Sequence, residues 1–166
     1  MPFEPPIFPA VADLDVVYRM IMECCDRHFP LVEYRRLAQP TDAEIDEVHD
    51  EVPEYRKRWE PAVRLRAYCL PSEESHPMTV FGIEELRDVV LFAAVPCLIE
   101  TGLAVQDPAS RQVRLTAGVG DRFTYTRDVQ YDVLEWRIGR TFANTDIPTE
   151  FQAIAERVRL QATELG

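Results

Sequence analysis

The chain has 166 residues, a formal net charge of −11 at pH 7, a hydrophobic share of 46% and thirteen prolines. That length suits one domain with its own core, since roughly 70% of the unfolded surface of such a chain is buried on folding. The acidic balance argues against a protein that grips phosphate backbones by charge. The longest apolar run, residues 89–99, contains a proline and falls short of the ~18 residues a spanning helix needs.

Residues 1–12 read as an extended arm, because Pro2, Pro5, Pro6 and Pro9 hold the backbone out of a helix. The arm carries Phe3, Ile7 and Phe8, apolar groups to be covered by the same domain or by a neighbouring subunit. Residues 13–29 have a helical period in Leu14, Val17, Ile21, Cys24, Cys25, His28 and Phe29. Asp13 is the expected N-cap, Pro30 closes the helix, and Asp15, Arg19, Glu23 and Arg27 form an i,i+4 charge ladder. His28 falls at the helix end, where a positive group suits the dipole.

Residues 31–40 read as a short connection. Thr41 and Glu44 then make a capping box for a helical insertion over about 41–60. The insertion is acidic at Asp42, Glu44, Asp46, Glu47, Asp50 and Glu51 and basic at Arg56, Lys57 and Arg58. It is either a solvated helix or a contact in which the acidic stretch of one copy meets the basic run of the next. Residues 62–70 alternate, with Val63, Leu65, Ala67 and Cys69 on one face and Arg64, Arg66 and Tyr68 on the other, which predicts a half-buried strand. Residues 71–77 form a polar loop with Glu73, Glu74 and His76, and 78–81 are apolar. Residues 82–88 are either a helical turn or a loop. A strand over 89–94 stops at Pro96, and 97–102 suggest one helical turn with Gly102 at C′. After a turn at 106–110 come strands near 112–116, 121–126 and 130–138. They are punctuated by Gly120-Asp121 and Arg127-Asp128, and a polar loop of fixed shape leads on to Pro148. Residues 149–165 have helical spacing in Phe151, Ile154, Val158, Ala162 and Leu165, with Thr149 and Gln152 as a capping box.

No residues are assigned to catalysis, to a cofactor or to a metal, and the reading is that the chain is not an enzyme. The three histidines include no H-E-x-x-H, and His49 lies on an acidic helix face. The four cysteines (Cys24, Cys25, Cys69, Cys97) contain no C-x-x-C pair and read as small hydrophobes suited to a reducing compartment. No G-x-S-x-G elbow occurs, and Gly118-Val119-Gly120 lacks the context of a dinucleotide loop. Asn144 and Asp146 are turn-formers, and Trp59 and Trp136 are core or interface anchors. All but one of the eighteen basic residues are arginines, the residue type that suits bidentate carboxylate contacts, although a GC-rich genome gives the same bias.

Three strings, GDRFTY at 120–125, YDVLEW at 131–136 and FANTDIP at 142–148, resemble the C-terminal half of the neck proteins of tailed bacteriophages, the small head-closure or head–tail connector subunits below the portal. Asp15-Val16-Val17-Tyr18-Arg19 is similar to the family's N-terminal D-x-x-Y motif, with Met20 where an acidic residue is common. PAVRLRAYCL at 61–70 and DVVLFAAVPCLIETGL at 88–103 are similar to its first long strand and to its central strand and helical turn. The resemblance implies a mainly β fold: a small antiparallel barrel or sandwich with an N-terminal helix and an inserted acidic helical arm, residues 13–166 being one domain. It also implies a closing strand near 150–158, so the conflict at the C-terminus is resolved as a strand over 151–158 with a frayed or helical tail.

The implied function is structural. Copies would form a hexameric or dodecameric ring in the virion neck, assembled in the host cytoplasm and not in a membrane. The ring would join the portal or adaptor protein to the tail or tail-terminator protein and help retain or pass the genome. DNA would run through the lumen without sequence-specific binding. Candidate subunit-interface residues are Phe3, Ile7, Phe8, Tyr55, Arg56, Arg58, Trp59 and Trp136. Loops 71–77 and 139–147 are candidates to face the lumen or an adjacent ring, through Glu73, Glu74, Arg137, Arg140, Asn144 and Asp146. The alternatives are another neck component, an adaptor or tail terminator, and a non-viral small β-barrel module that binds a protein partner.

Overall fold

The computed structural model describes residues 11–39, 57–71, 78–80, 83–85, 88–125 and 129–158. The Pro-rich arm up to residue 10, the acidic part of the insertion, residues 72–77 and the chain after 158 lie outside the described residues. The expectation of a helical arm at 41–60 falls largely there.

The chain runs α1 (Val11–His28), β1 (Leu31–Arg35), β2 (Val63–Pro71), β3 (Met78–Val80), β4 (Ile83–Glu85), β5 (Asp88–Ala94), α2 (Val95–Glu100), β6 (Ala104–Gln106), β7 (Val113–Leu115), β8 (Arg122–Tyr125), β9 (Val129–Thr141) and β10 (Pro148–Arg157). Six strands close into an antiparallel barrel in the order β1-β2-β5-β10-β9-β8. The protein is therefore mainly β, a closed six-stranded barrel with an N-terminal helix, which settles the choice between barrel and sandwich.

The period-2 pattern drives closure. Val32 and Tyr34, Leu65 and Ala67, Leu91 and Ala93, Phe123, Tyr131 and Val133, and Phe151, Ala153 and Ala155 are all buried. A barrel this small has room only for side chains. The interior is thus a packed core. β5 differs from the other strands: Val89, Val90, Leu91, Ala93 and Ala94 are buried on both of its faces. One face looks into the barrel, and the other lies beneath the helices. That double burial explains why its sequence is a continuous apolar run and does not alternate.

α1 packs against β2, β5 and α2. Its Leu14, Tyr18 and Cys25 are buried with Cys97 and Leu98 of α2 in the same core. Phe29 just beyond α1 meets Tyr68 on the outer face of β2, with ring centroids 5.3 Å apart, and Tyr68 meets Phe92 at 5.5 Å. The Tyr18 hydroxyl donates to the Pro148 carbonyl at 2.9 Å, which ties the helix to the start of β10. Burial pushes the Tyr18 hydroxyl above its ordinary value. The Cys97 thiol hydrogen-bonds to Cys25, holding Cys25 below and Cys97 above the usual thiol value.

Several expectations need correction. The helix begins at Val11, so Asp13 lies in its first turn and is not its N-cap. Asp15 forms an ion pair with Arg111, across to the β6–β7 turn, which takes it out of the charge ladder. Residues 31–35 are not a connection but the strand β1, with Val32 and Tyr34 inward. Five residues give too short an alternation to stand out beside a strong helix. Residues 83–85 are a strand, neither the helical turn nor the loop expected within 82–88, and 104–106 form β6, which the sequence pattern does not announce. Pro96 does more than stop β5, because it sits in the first turn of α2, where its missing N–H costs nothing. Gly102, expected at C′, follows the C-cap Thr101 with φ +80°.

The C-terminal stretch is a strand, as favoured. β10 lies between β9 and β5 and ladders with both. Its inward residues are Phe151, Ala153 and Ala155. The small alanines hide the period of 2 from a hydrophobicity count, while the outward Ile154 creates a false helical spacing.

Candidate functional site

Two places concentrate polar organisation, and both lie towards the end of the barrel where β9 ends, β10 begins and α2 follows β5.

The first is Asp121, the buried charged residue of the core at 4% exposure. It directly precedes β8 and follows Gly120, whose φ of +89° turns the chain. A Cβ on Gly120 would also come within 3.2 Å of Leu37 Cδ2. The carboxylate accepts three hydrogen bonds. The Tyr34 hydroxyl and the Gly118 amide each donate to Oδ2 at 2.7 Å, and the Leu37 amide donates to Oδ1 at 2.8 Å. A buried carboxylate is tolerable only when its lone pairs are occupied in this way. Burial and the Asp121 charge together push the Tyr34 hydroxyl far above its ordinary value. The cluster joins β1, the chain leaving it and the turn before β8, so it closes the barrel seam where three segments meet. Its groups are all committed to one another, and chemically it is a brace.

The second is the base of the insertion. Residues 36–38 and 58–60 run antiparallel, with Leu37 bridging Trp59, Ala38 N donating to Arg58 O and Glu60 N to Arg36 O, each at 2.9 Å. The Arg36 guanidinium lies 2.7 Å from Glu60, a half-exposed pair contributing about 0–1 kcal/mol. Trp59 is half-buried, with the Arg122 guanidinium 4.7 Å from its ring centroid. Arg122 is itself held by Asp132 at 2.7 and 3.2 Å across the β8–β9 ladder. Pockets of about 360 and 320 Å³ flank the Arg36–Glu60 pair. One is lined by Tyr34, Val63 and Leu103, the other by Leu37, Gly118 and Asp121.

Part of the predicted interface and loop set falls among the described residues. Phe3, Ile7, Phe8, Tyr55, Arg56, Glu73 and Glu74 lie outside the described residues. Trp59 and the exposed Arg58 flank the base of the insertion. Trp136 points inward, half-buried, with its ring 6.3 Å from that of Tyr34, so its bulk serves its own barrel. Arg137 and Arg140 are exposed on β9, which extends to Thr141, so the loop expected at 139–147 shortens to 142–147. Arg137 Nε donates to Gln152 Oε1 at 3.0 Å. The 142–147 loop has the fixed shape anticipated. Phe142 N donates to Ile147 O at 2.8 Å, Thr145 N to Phe142 O at 2.9 Å, and the buried Phe142 ring anchors it. Asn144 and Asp146 are exposed on it, and Gln112 Nε2 donates to Asp146 Oδ1 at 3.0 Å.

The sequence reading treated Asp121 as turn punctuation. The available signal was an acid wedged between a turn glycine and an apolar strand, where a solvated turn would more often carry its polar residue outward.

No protein-family model matches the chain, and no curated protein matches it either.

Proposed function

We propose that the chain is a structural subunit of the neck of a tailed bacteriophage. Its copies form a ring that joins the portal or adaptor to the tail and helps hold or pass the genome. The observation that carries this reading is where the resembling segments fall. PAVRLRAYCL supplies β2, and DVVLFAAVPCLIETGL supplies β5 and α2. GDRFTY supplies the Asp121 brace and β8, YDVLEW the centre of β9, and FANTDIP the self-bonded loop into β10. The resemblance therefore rests on the segments that close the barrel, which is what a shared architecture needs. The excess of acid, −11 overall, suits a lumen through which duplex DNA slides without sticking.

Electron microscopy of the purified full chain, alone and mixed with portal-bearing phage heads, tests the reading. Rings in solution or on the heads are expected. A monomer that leaves the heads bare overturns the reading and favours a barrel module that binds another protein.

A further inference from the structure

β9 is 13 residues long, yet β8 pairs only with its residues 129–132, and the contact extends one residue further through the Gly120 and Val133 amides. From 134 to 141 the side of β9 facing away from β10 has no backbone partner among the described residues. Leu134 and Ile138 on this stretch are 47% and 54% exposed. An open edge with exposed apolar side chains is a template for an added strand. The β3–β4 and β6–β7 sheets also have open edges, but each of those strands spans three residues, and edges that short are poor templates.

The β9 stretch suits a copy of itself. The contact with β8 ends at Val133, so an antiparallel copy clears β8 at both ends only when the two-fold axis falls near the middle, between Arg137 and Ile138. That register sets Glu135 of each copy across from Arg140 of the other, Leu134 across from Thr141, and the Ile138 side chains close to the axis. An irregularity lets the charges meet on one face. The β9–β10 ladder shifts between Glu150 and Phe151, which leaves Gly139 as the extra residue. Glu135 then lies opposite Ile154 and Arg140 opposite Glu150, both exposed on the outer face of the barrel. Without the shift, positions 135 and 140 would alternate to opposite faces. Arg137, near the axis, is turned to Gln152 of its own β10 at 3.0 Å. Sliding the copies towards Leu134 drives each strand into β8, and sliding them towards Thr141 parts Glu135 from Arg140.

We infer that two copies of this chain pair edge to edge through residues 134–141 of β9, antiparallel, with Glu135 and Arg140 meeting on both sides of a two-fold axis. Opposite charges facing each other across strands favour a pair, and like charges oppose it. The contact is isologous and closes at two copies. It goes beyond the ring reading and does not rest on it, since a ring needs a heterologous contact on another face. In the free protein the pairing covers an edge that would otherwise recruit strands indiscriminately.

The test measures the dimer dissociation constant of the full chain by sedimentation, for wild type, for Glu135→Arg, for Arg140→Glu, for the two variants mixed, and for the chain carrying both changes. Both positions are exposed, and thermal unfolding checks that each variant folds. Wild type is expected to dimerise. Each single variant sets like charges opposite each other at both contacts and should weaken the dimer at least about tenfold. The mixture and the double variant restore opposite charges and should recover it. A dimer indifferent to both single changes overturns the pairing and points to another surface, the β6–β7 edges included. Weakening that neither the mixture nor the double variant repairs overturns the register. A wild-type chain that forms no dimer, whether it stays a monomer or assembles directly on portal-bearing heads, overturns the pairing, and in the second case leaves the ring reading standing.

Discussion

The strand β9 passes through two different surroundings. From Val129 to Val133 it is a barrel stave, with β8 on one side and β10 on the other and with Tyr131 and Val133 buried. From Leu134 to Thr141 it keeps β10 but loses β8, and Leu134 and Ile138 emerge into solvent. The change occurs at one irregularity. The ladder shifts register between Ile154 and Ala155, leaving Leu134 as the extra residue, and such bulges re-aim the side chains that follow. The first half is enclosed on both sides, while in the second Trp136 still packs inward and Leu134 and Ile138 present surface that the barrel leaves open. Substitutions in the two halves should separate accordingly.

The largest effect belongs to the barrel side. Phe123→Ala removes a fully buried ring stacked at 5.4 Å on Tyr131, and the urea midpoint should report a loss of about 3–5 kcal/mol. Asp121→Ala strips the acceptor from Tyr34, Leu37 and Gly118 together. A loss of about 3 kcal/mol is expected from leaving buried donors unsatisfied. A loss under about 1 kcal/mol would mean that the brace is not what closes the seam. Gly120→Ala forces a side chain into a φ of +89°, with Leu37 close by, and should cost about 1–2 kcal/mol.

Alkaline pH gives a smaller test of the same half. Burial pushes the Cys69 thiol up to about 12 from its ordinary 9.0, and Tyr34 is raised above 10.0. Between the unfolded and folded values the native chain holds a proton that the unfolded chain has lost, so stability falls as pH rises. The urea midpoint should be flat below about pH 9 and drop above it, with Tyr34→Phe flattening the part above about 10. Against these, Leu134→Ser with Ile138→Ser should change stability by no more than about 0.5 kcal/mol per site while weakening self-association. A large loss of stability would return the second half of β9 to the core. The smallest effect is chemical: Cys24 is the exposed thiol and Cys25 and Cys97 are buried, so native alkylation followed by mass spectrometry should modify Cys24 first.

The same division governs how much the sequence discloses. Strands with one wet face show their period, and β2 is legible because Arg64 and Arg66 alternate with Leu65 and Ala67. β1 is too short to show it, and β10 hides it behind alanines; the closing strand that the family resemblance implies, and not the local pattern, marks β10 as a strand. Asp121 is invisible as a brace because its three donors come from positions 34, 37 and 118, which proximity in sequence does not connect. Trp136 reads as either a core or an interface anchor in the sequence, and the register against Ala153 turns it inward. Edges are the least legible feature, since a free side of a ladder is a property of what fails to pair.

The most direct test of the structural reading is the mass of the wild-type full chain by light scattering, alone and after mixing with portal-bearing phage heads. A ring mass, or a fixed hexameric or dodecameric load on the heads, is the predicted result. A monomer that stays a monomer and ignores the heads would contradict it.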